Sequence, residues 1–155
     1  MLKPTPLTYA LVVFGLVFVF ILLVYAQIMM VSNPQGQATK DLLIGKGGDW
    51  RDRSHMASAF GMAWADLLFW FPLLLAGSVG VLLGRAWGYA LWATSGAISV
   101  YINIVLWFSE RAYVYPSFGP LAYYTYYWGF FVYWGLAVVA YSAVRLARAT
   151  SPRQA

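Results

Sequence analysis

Four long apolar stretches alternate with short polar segments along the chain. Leu7–Val31 runs for 25 residues without a charge, Ala57–Leu83 carries one charged residue, Asp66, and Ala86–Ser109 and Leu121–Val144 carry none. A helix rising 1.5 Å per residue needs about 20 apolar residues to cross a bilayer. Backbone N–H and C=O groups in lipid must be satisfied within the segment, so each stretch is expected to be a helix. The pattern predicts an all-α integral membrane protein. Its fold is a four-transmembrane-helix antiparallel bundle, with spans over 7–31, 57–83, 86–109 and 121–144 and a single domain over 1–155. The first stretch exceeds the apolar core of a signal peptide, about 7–15 residues, and reads as a retained first span.

The connections differ in kind. Loop one, Ser32–Met56, is long and holds turn signals at Asn33-Pro34 and Gly45-Lys46-Gly47-Gly48. The glycine run lacks phosphate-loop spacing and reads as a turn. Loop two is little more than Gly84-Arg85, which folds spans two and three into a tight hairpin. Loop three, Glu110–Pro120, contains Pro116, Gly119 and Pro120, and the tail after Arg145 is expected to fray. Gly77, Gly80 and Gly84 suit close helix packing.

Composition narrows the chemistry. The chain is 62% hydrophobic and 10% charged, and its mean hydropathy of +0.66 excludes a disordered chain and argues against a soluble globule. With no cysteine and one histidine, disulfides, iron–sulfur clusters, thiolate catalysis and His-rich metal sites are excluded, and no metal or cofactor is expected. The aromatic residues lie in the spans rather than on a basic platform, so nucleic acid is not an expected partner. Both termini and loop two share one side, here termed the terminal side; loops one and three share the other, the loop side. Lys and Arg number five on each, but all the acidic residues outside the spans fall on the loop side. That asymmetry favours a plasma or inner membrane location with both termini cytoplasmic, where the net charge of +5 would meet anionic lipid.

Polar groups inside the spans supply candidate chemistry. A carboxylate in a span costs about 2.5–3.5 kcal/mol to insert and marks a functional candidate. Asp66 lies ~15 Å along the second helix, and His55, eleven residues earlier, shares its face with Ala59, Met62, Trp70 and Leu73. With no Lys or Arg in any span, a carboxyl at that depth is expected to stay protonated and able to donate. Pro72 is expected to kink the helix. On the third span, Gly96, Ser99, Asn103, Trp107 and Glu110 form a stripe at three- and four-residue steps. The fourth span adds Tyr123, Tyr124, Tyr126, Tyr127, Trp128, Tyr133 and Trp134, the last two too deep for an interfacial belt. The expected pocket lies between spans two, three and four: Asp66 and Asn103 form its floor, Trp107 and Tyr133 its walls, and Glu110 and Tyr126 its mouth. Asp66 and Glu110 are the candidate catalytic pair. His55, Met62, Trp70, Asn103, Trp107, Tyr126, Tyr127 and Tyr133 are the candidate ligand contacts.

The run Asp66-Leu67-Leu68-Phe69-Trp70-Phe71-Pro72, with an acid, Phe three residues on and Pro six on, resembles the second helix of EXPERA-domain proteins. That family includes the sigma-2 receptor and the emopamil-binding sterol isomerase. The resemblance spans Ala65–Thr94, and here Asp stands where that family has Glu. It implies a lipid-facing cavity for a sterol, isoprenoid or hydrophobic amine. The first span here has no acid and the third no histidine, unlike those relatives. From the residues themselves, two carboxyls and aromatic faces suit binding of a lipid or other hydrophobic small molecule, with isomerisation or cyclisation by proton transfer. A small proton-coupled transporter and a non-catalytic subunit of a larger membrane complex stay open as alternatives, as does a homo-oligomer.

Overall fold

The computed structural model describes residues 2–114 and 129–150. Four helices long and apolar enough to span a membrane run over Pro6–Ser32, Arg53–Leu82, Ala86–Glu110 and Gly129–Ala149, the last continuing to Thr150. No strand occurs among the described residues.

Each boundary has a local cause. The first span starts on a reciprocal cap between Thr5 and Thr8, with Pro6 at the first helical position, where its missing N–H costs nothing. The second begins a turn before the apolar run, because the Asp52 carboxylate accepts from the His55 N–H and caps it. Its end is a left-handed turn at Gly84, φ +66°. A Cβ there would lie 2.8 Å from the Leu2 carbonyl oxygen, and the Leu2 N–H donates to the Gly84 carbonyl at 2.9 Å, tying the N-terminus to loop two.

Loop one is more ordered than its turn signals suggest. It contains a short helix, Gln37–Leu43. The buried Thr39 hydroxyl donates to the carbonyls of Asn33 (2.8 Å) and Met29 (3.3 Å), and so closes the C-terminal end of the first span. The Trp50 indole donates to the Pro34 carbonyl.

Spans two and three pack backbone against backbone at Gly80 and Gly88, where a Cβ on Gly88 would stand 2.2 Å from the Gly80 carbonyl carbon. Spans three and four approach likewise at Gly96 and Gly135. The Trp134 indole lies over Gly15 and donates to the Leu11 carbonyl at 3.0 Å, docking the first span on the fourth. Trp70, Phe71, Leu74, Val81, Tyr89, Trp92 and Val138 fill the centre of the core.

Two turns widen to π geometry, at Gly15–Ile21 and Asp66–Trp70. The second lies just before Pro72, where a kink was expected. Pro72 offers no N–H and its ring crowds the carbonyl four residues back, and the wider turn immediately before it takes up that misfit. The last helix continues past Arg145 to Thr150, beyond the point where fraying was expected to begin. The Arg145 guanidinium is buried, donates to the Tyr141 hydroxyl and the Lys3 carbonyl, and holds the last helix in place to Thr150.

Candidate functional site

The widened turn begins at Asp66, whose side chain points into the bundle and is 9% exposed. Its Oδ2 accepts from Gln27 Nε2 of the first span at 2.7 Å. Eleven residues earlier, the cap at Asp52 fixes the start of the helix and with it the buried ring of His55. The Arg51 N–H donates to His55 Nδ1 at 3.2 Å, which leaves Nε2 to carry the proton. That Nε2 lies 2.9 Å from Glu110 Oε2, an ion-pair distance without hydrogen-bond alignment.

Between these two levels lies Asn103. Its Nδ2 donates to the Ser99 carbonyl at 2.7 Å, and its Oδ1, in a side chain only 2% exposed, has no hydrogen-bond partner. Ser99 in turn donates to the Phe131 carbonyl of the fourth span. The third-span stripe therefore divides: Gly96 and Ser99 serve packing, and Asn103 and Glu110 face open space.

That space is a cavity of about 90 Å³. Its polar lining is Gln27, His55, Asp66, Asn103 and Glu110; Ala59, Met62 and Trp70 complete the second-span wall. Leu43, Ile44 and Trp50 of loop one roof it. The Trp50 ring meets the His55 ring edge to face at 5.3 Å. Trp70 is anchored by its indole N–H to Ser95.

The roof is braced by its own charges. Lys40 Nζ lies 2.7 Å from Asp49, and Asp41 accepts from Gln37 and from the Gly47 N–H. The hydrogen bond from Gln37, then that from Gly47, holds Asp41 below the usual carboxylate range; Lys40 and the Trp50 N–H do the same for Asp49. The Ser54 hydroxyl, the Arg51 guanidinium and the His55 N–H hold Asp52 well below it.

Comparison of the chain with known protein families, curated proteins and solved structures returned no match.

Asp66, His55, Met62, Trp70, Asn103 and Glu110 come together around one cavity, and among the described residues its lining comes from spans one, two and three and the loops beside them, with no contribution from 129–150 of the fourth span. Tyr133 is not a wall: its side chain is 58% exposed and faces away from the bundle, because the Gly135 and Phe131 face of the fourth span meets the third. Trp107 does not line the cavity either, and its ring lies 5.9 Å from the Arg111 guanidinium. Tyr126 and Tyr127 lie outside the described residues. Gln27 and Trp50 were not among the expected contacts. Gln27 was the available signal, as an amide within an otherwise apolar first span. Among the described residues, no group of His, Asp and Glu could hold a metal ion.

The arrangement can do three things chemically. It can accept hydrogen bonds at Asp66, Asn103 and Glu110, present aromatic surface from Trp50 and Trp70, and pass a proton between carboxyl groups through bound water or ligand.

Proposed function

We propose that the protein is an intramembrane binding site for a hydrophobic small molecule, of isoprenoid or sterol type, that places its one polar end at Asp66. The observation that carries this reading is the cavity itself: a mostly apolar space reaching a buried carboxyl that no cation neutralises among the described residues. A few polar groups in an apolar lining is the usual make-up of a ligand site. Its size sets the mode. Pockets that enclose a drug-sized molecule measure about 300–1,000 Å³, so 90 Å³ takes a polar end group and leaves the hydrocarbon in the bilayer. Binding, with proton donation by Asp66 to the polar end, is favoured over isomerisation or cyclisation of a fully enclosed skeleton. In this reading loops one and three lie outside the cytoplasm and the termini within.

Native mass spectrometry of the purified wild type and Asp66→Asn tests the proposal. A small-molecule adduct retained by the wild type and lost from D66N is the expected result. Equal adducts on both proteins would contradict it. A stoichiometric second protein, with no small molecule, would replace it with the accessory-subunit reading.

A further inference from the structure

The polar groups of the cavity are ordered by depth, and the order runs one way only. Glu110 and His55 stand at the loop-side end, and the Glu110 side chain keeps 13% of its surface exposed. Asn103 lies seven residues, ~10 Å, deeper along the third span. Asp66, held by Gln27, lies eleven residues, ~16 Å, below His55 along the second. These steps are too long for direct transfer between side chains, but the space between them is not filled with side chains. A site of about 10–15 Å³ admits one water when it offers polar partners, so the 90 Å³ here has room for a short file of them. Asn103 Oδ1, buried and unpartnered, is the acceptor such a file requires at mid-depth.

Toward the terminal side the sequence of groups stops. Trp70, Phe71, Leu74 and Trp92 close the level below Asp66, and the Gly80–Gly88 contact brings two backbones together beyond it. The Trp70 N–H is spent on Ser95. Ser78 Oγ and Trp92 Nε1 are also unpartnered, but neither lines the cavity. The next buried ionisable side chains are Tyr89 and Arg145, at the far end.

We propose that the cavity is a water-filled half-channel that puts Asp66 in protonic contact with the loop side of the membrane and with that side alone. This deepens the binding reading and rests on its assignment of Asp66 as the acting group. A proton donated by Asp66 to a ligand is replaced from the loop-side solution: Glu110 and His55 take it up at the mouth, the waters ordered by Asn103 carry it, and the Asp66 carboxylate regains it. Facing Asp66 are Gln27 from the first span and Asn103 from the third, neither titratable; among the described residues the titratable and charged groups around the path are His55 and Glu110 at the mouth, with Arg51, Asp52, Arg111, Tyr113 and the Lys40–Asp49 pair beyond it. Proton relays of this kind are one of the established uses of carboxyl and histidine side chains within membranes.

One-sided pH jumps on vesicles decide the matter. A soluble domain fused after Ala155 keeps the terminal side outward on reconstitution, so loop one faces the lumen. The readout is the infrared carboxyl band present in the wild type and absent from D66N. A change of external pH should leave that band unmoved until a protonophore admits protons to the lumen, after which it should shift. A shift before the protonophore, or none after it, would overturn the proposal. With the protonophore present, Asn103→Leu should slow the shift roughly tenfold, a modest share of the 10²–10⁴ that a positioned proton carrier contributes. Ser78→Ala, on the sealed side, should not slow it. An unchanged rate in N103L, in protein that elutes and folds as the wild type, would remove Asn103 from the path. Retention of the small-molecule adduct alongside a failed pH experiment would leave the binding reading standing without the half-channel.

Discussion

Asp66 and Arg145 are both ionisable, both 9% exposed, and lie at different depths of the bundle, Asp66 near the middle of its span and Arg145 near the end of its own, yet they are held in opposite ways. The Arg145 guanidinium donates to the Tyr141 hydroxyl and the Lys3 carbonyl and lies 5.3 and 5.6 Å from the ring centres of Tyr89 and Tyr141. Tyr141 is bonded in turn to Thr5 and Thr8. Among the described residues Asp66 has one donor from another span, Gln27, and a cavity beside it. A buried charge hydrogen-bonded to its own helix and to the N-terminal segment stabilises the helix ends it joins. A buried carboxyl left beside open space contributes little to packing and remains available to a ligand or a proton. The difference extends to the surrounding helices, which touch at glycine on the terminal side and part around a widened turn on the loop side.

Substitutions on the two sides should therefore separate stability from function. The largest loss of stability is expected from Gly88→Leu, because the Gly80 backbone in its way cannot move aside. Overpacking of this kind costs about 3 kcal/mol, and thermal unfolding in detergent should show it as a collapse of the midpoint. Arg145→Met should cost about 2 kcal/mol, the scale of hydrogen bonds to a charged group. The same measurement reads it, and a variant as stable as the wild type would erase the contrast between the two charges. Asp66→Asn should change stability by under about 1 kcal/mol, since the amide can keep one bond to Gln27, while abolishing ligand retention. A large drop in its unfolding midpoint would place Asp66 with Arg145 as a structural group. The smallest effect is expected from acid. Asp52 ionises more readily folded than unfolded, so its capping contribution is complete at neutral pH and disappears only as pH falls through its depressed folded value. Wild type and Asp52→Asn should accordingly differ slightly near neutrality and converge in strong acid, as followed by helical circular dichroism.

The sequence carried the architecture further than the site. Length and charge-free runs define spans because the bilayer imposes them, and Gly84 at the hairpin follows from the left-handed turn that loop two requires. The faces of spans two and three were equally legible, since 3.6-residue periodicity alone puts His55 with Asp66 and Asn103 with Glu110. Periodicity within one helix says nothing about which neighbour it meets. The fourth span, rich in tyrosine, offered a plausible wall, but packing turned its glycine face inward and Tyr133 outward. The first span, read as apolar throughout, supplied Gln27, a single amide that hydropathy averaged away. The roof over the cavity depended on long-range bonds from Thr39 and Trp50, which no local pattern in loop one announces.

Whether the space beside Asp66 is a site or a packing imperfection is tested most directly by filling it. Ala59 lines the cavity on the face between His55 and Asp66. In a tightly packed core, Ala59→Leu would cost about 1–3 kcal/mol; in a ligand cavity it should leave the unfolding midpoint level or raised while removing the bound small molecule. A lowered midpoint with the ligand still retained would contradict the account.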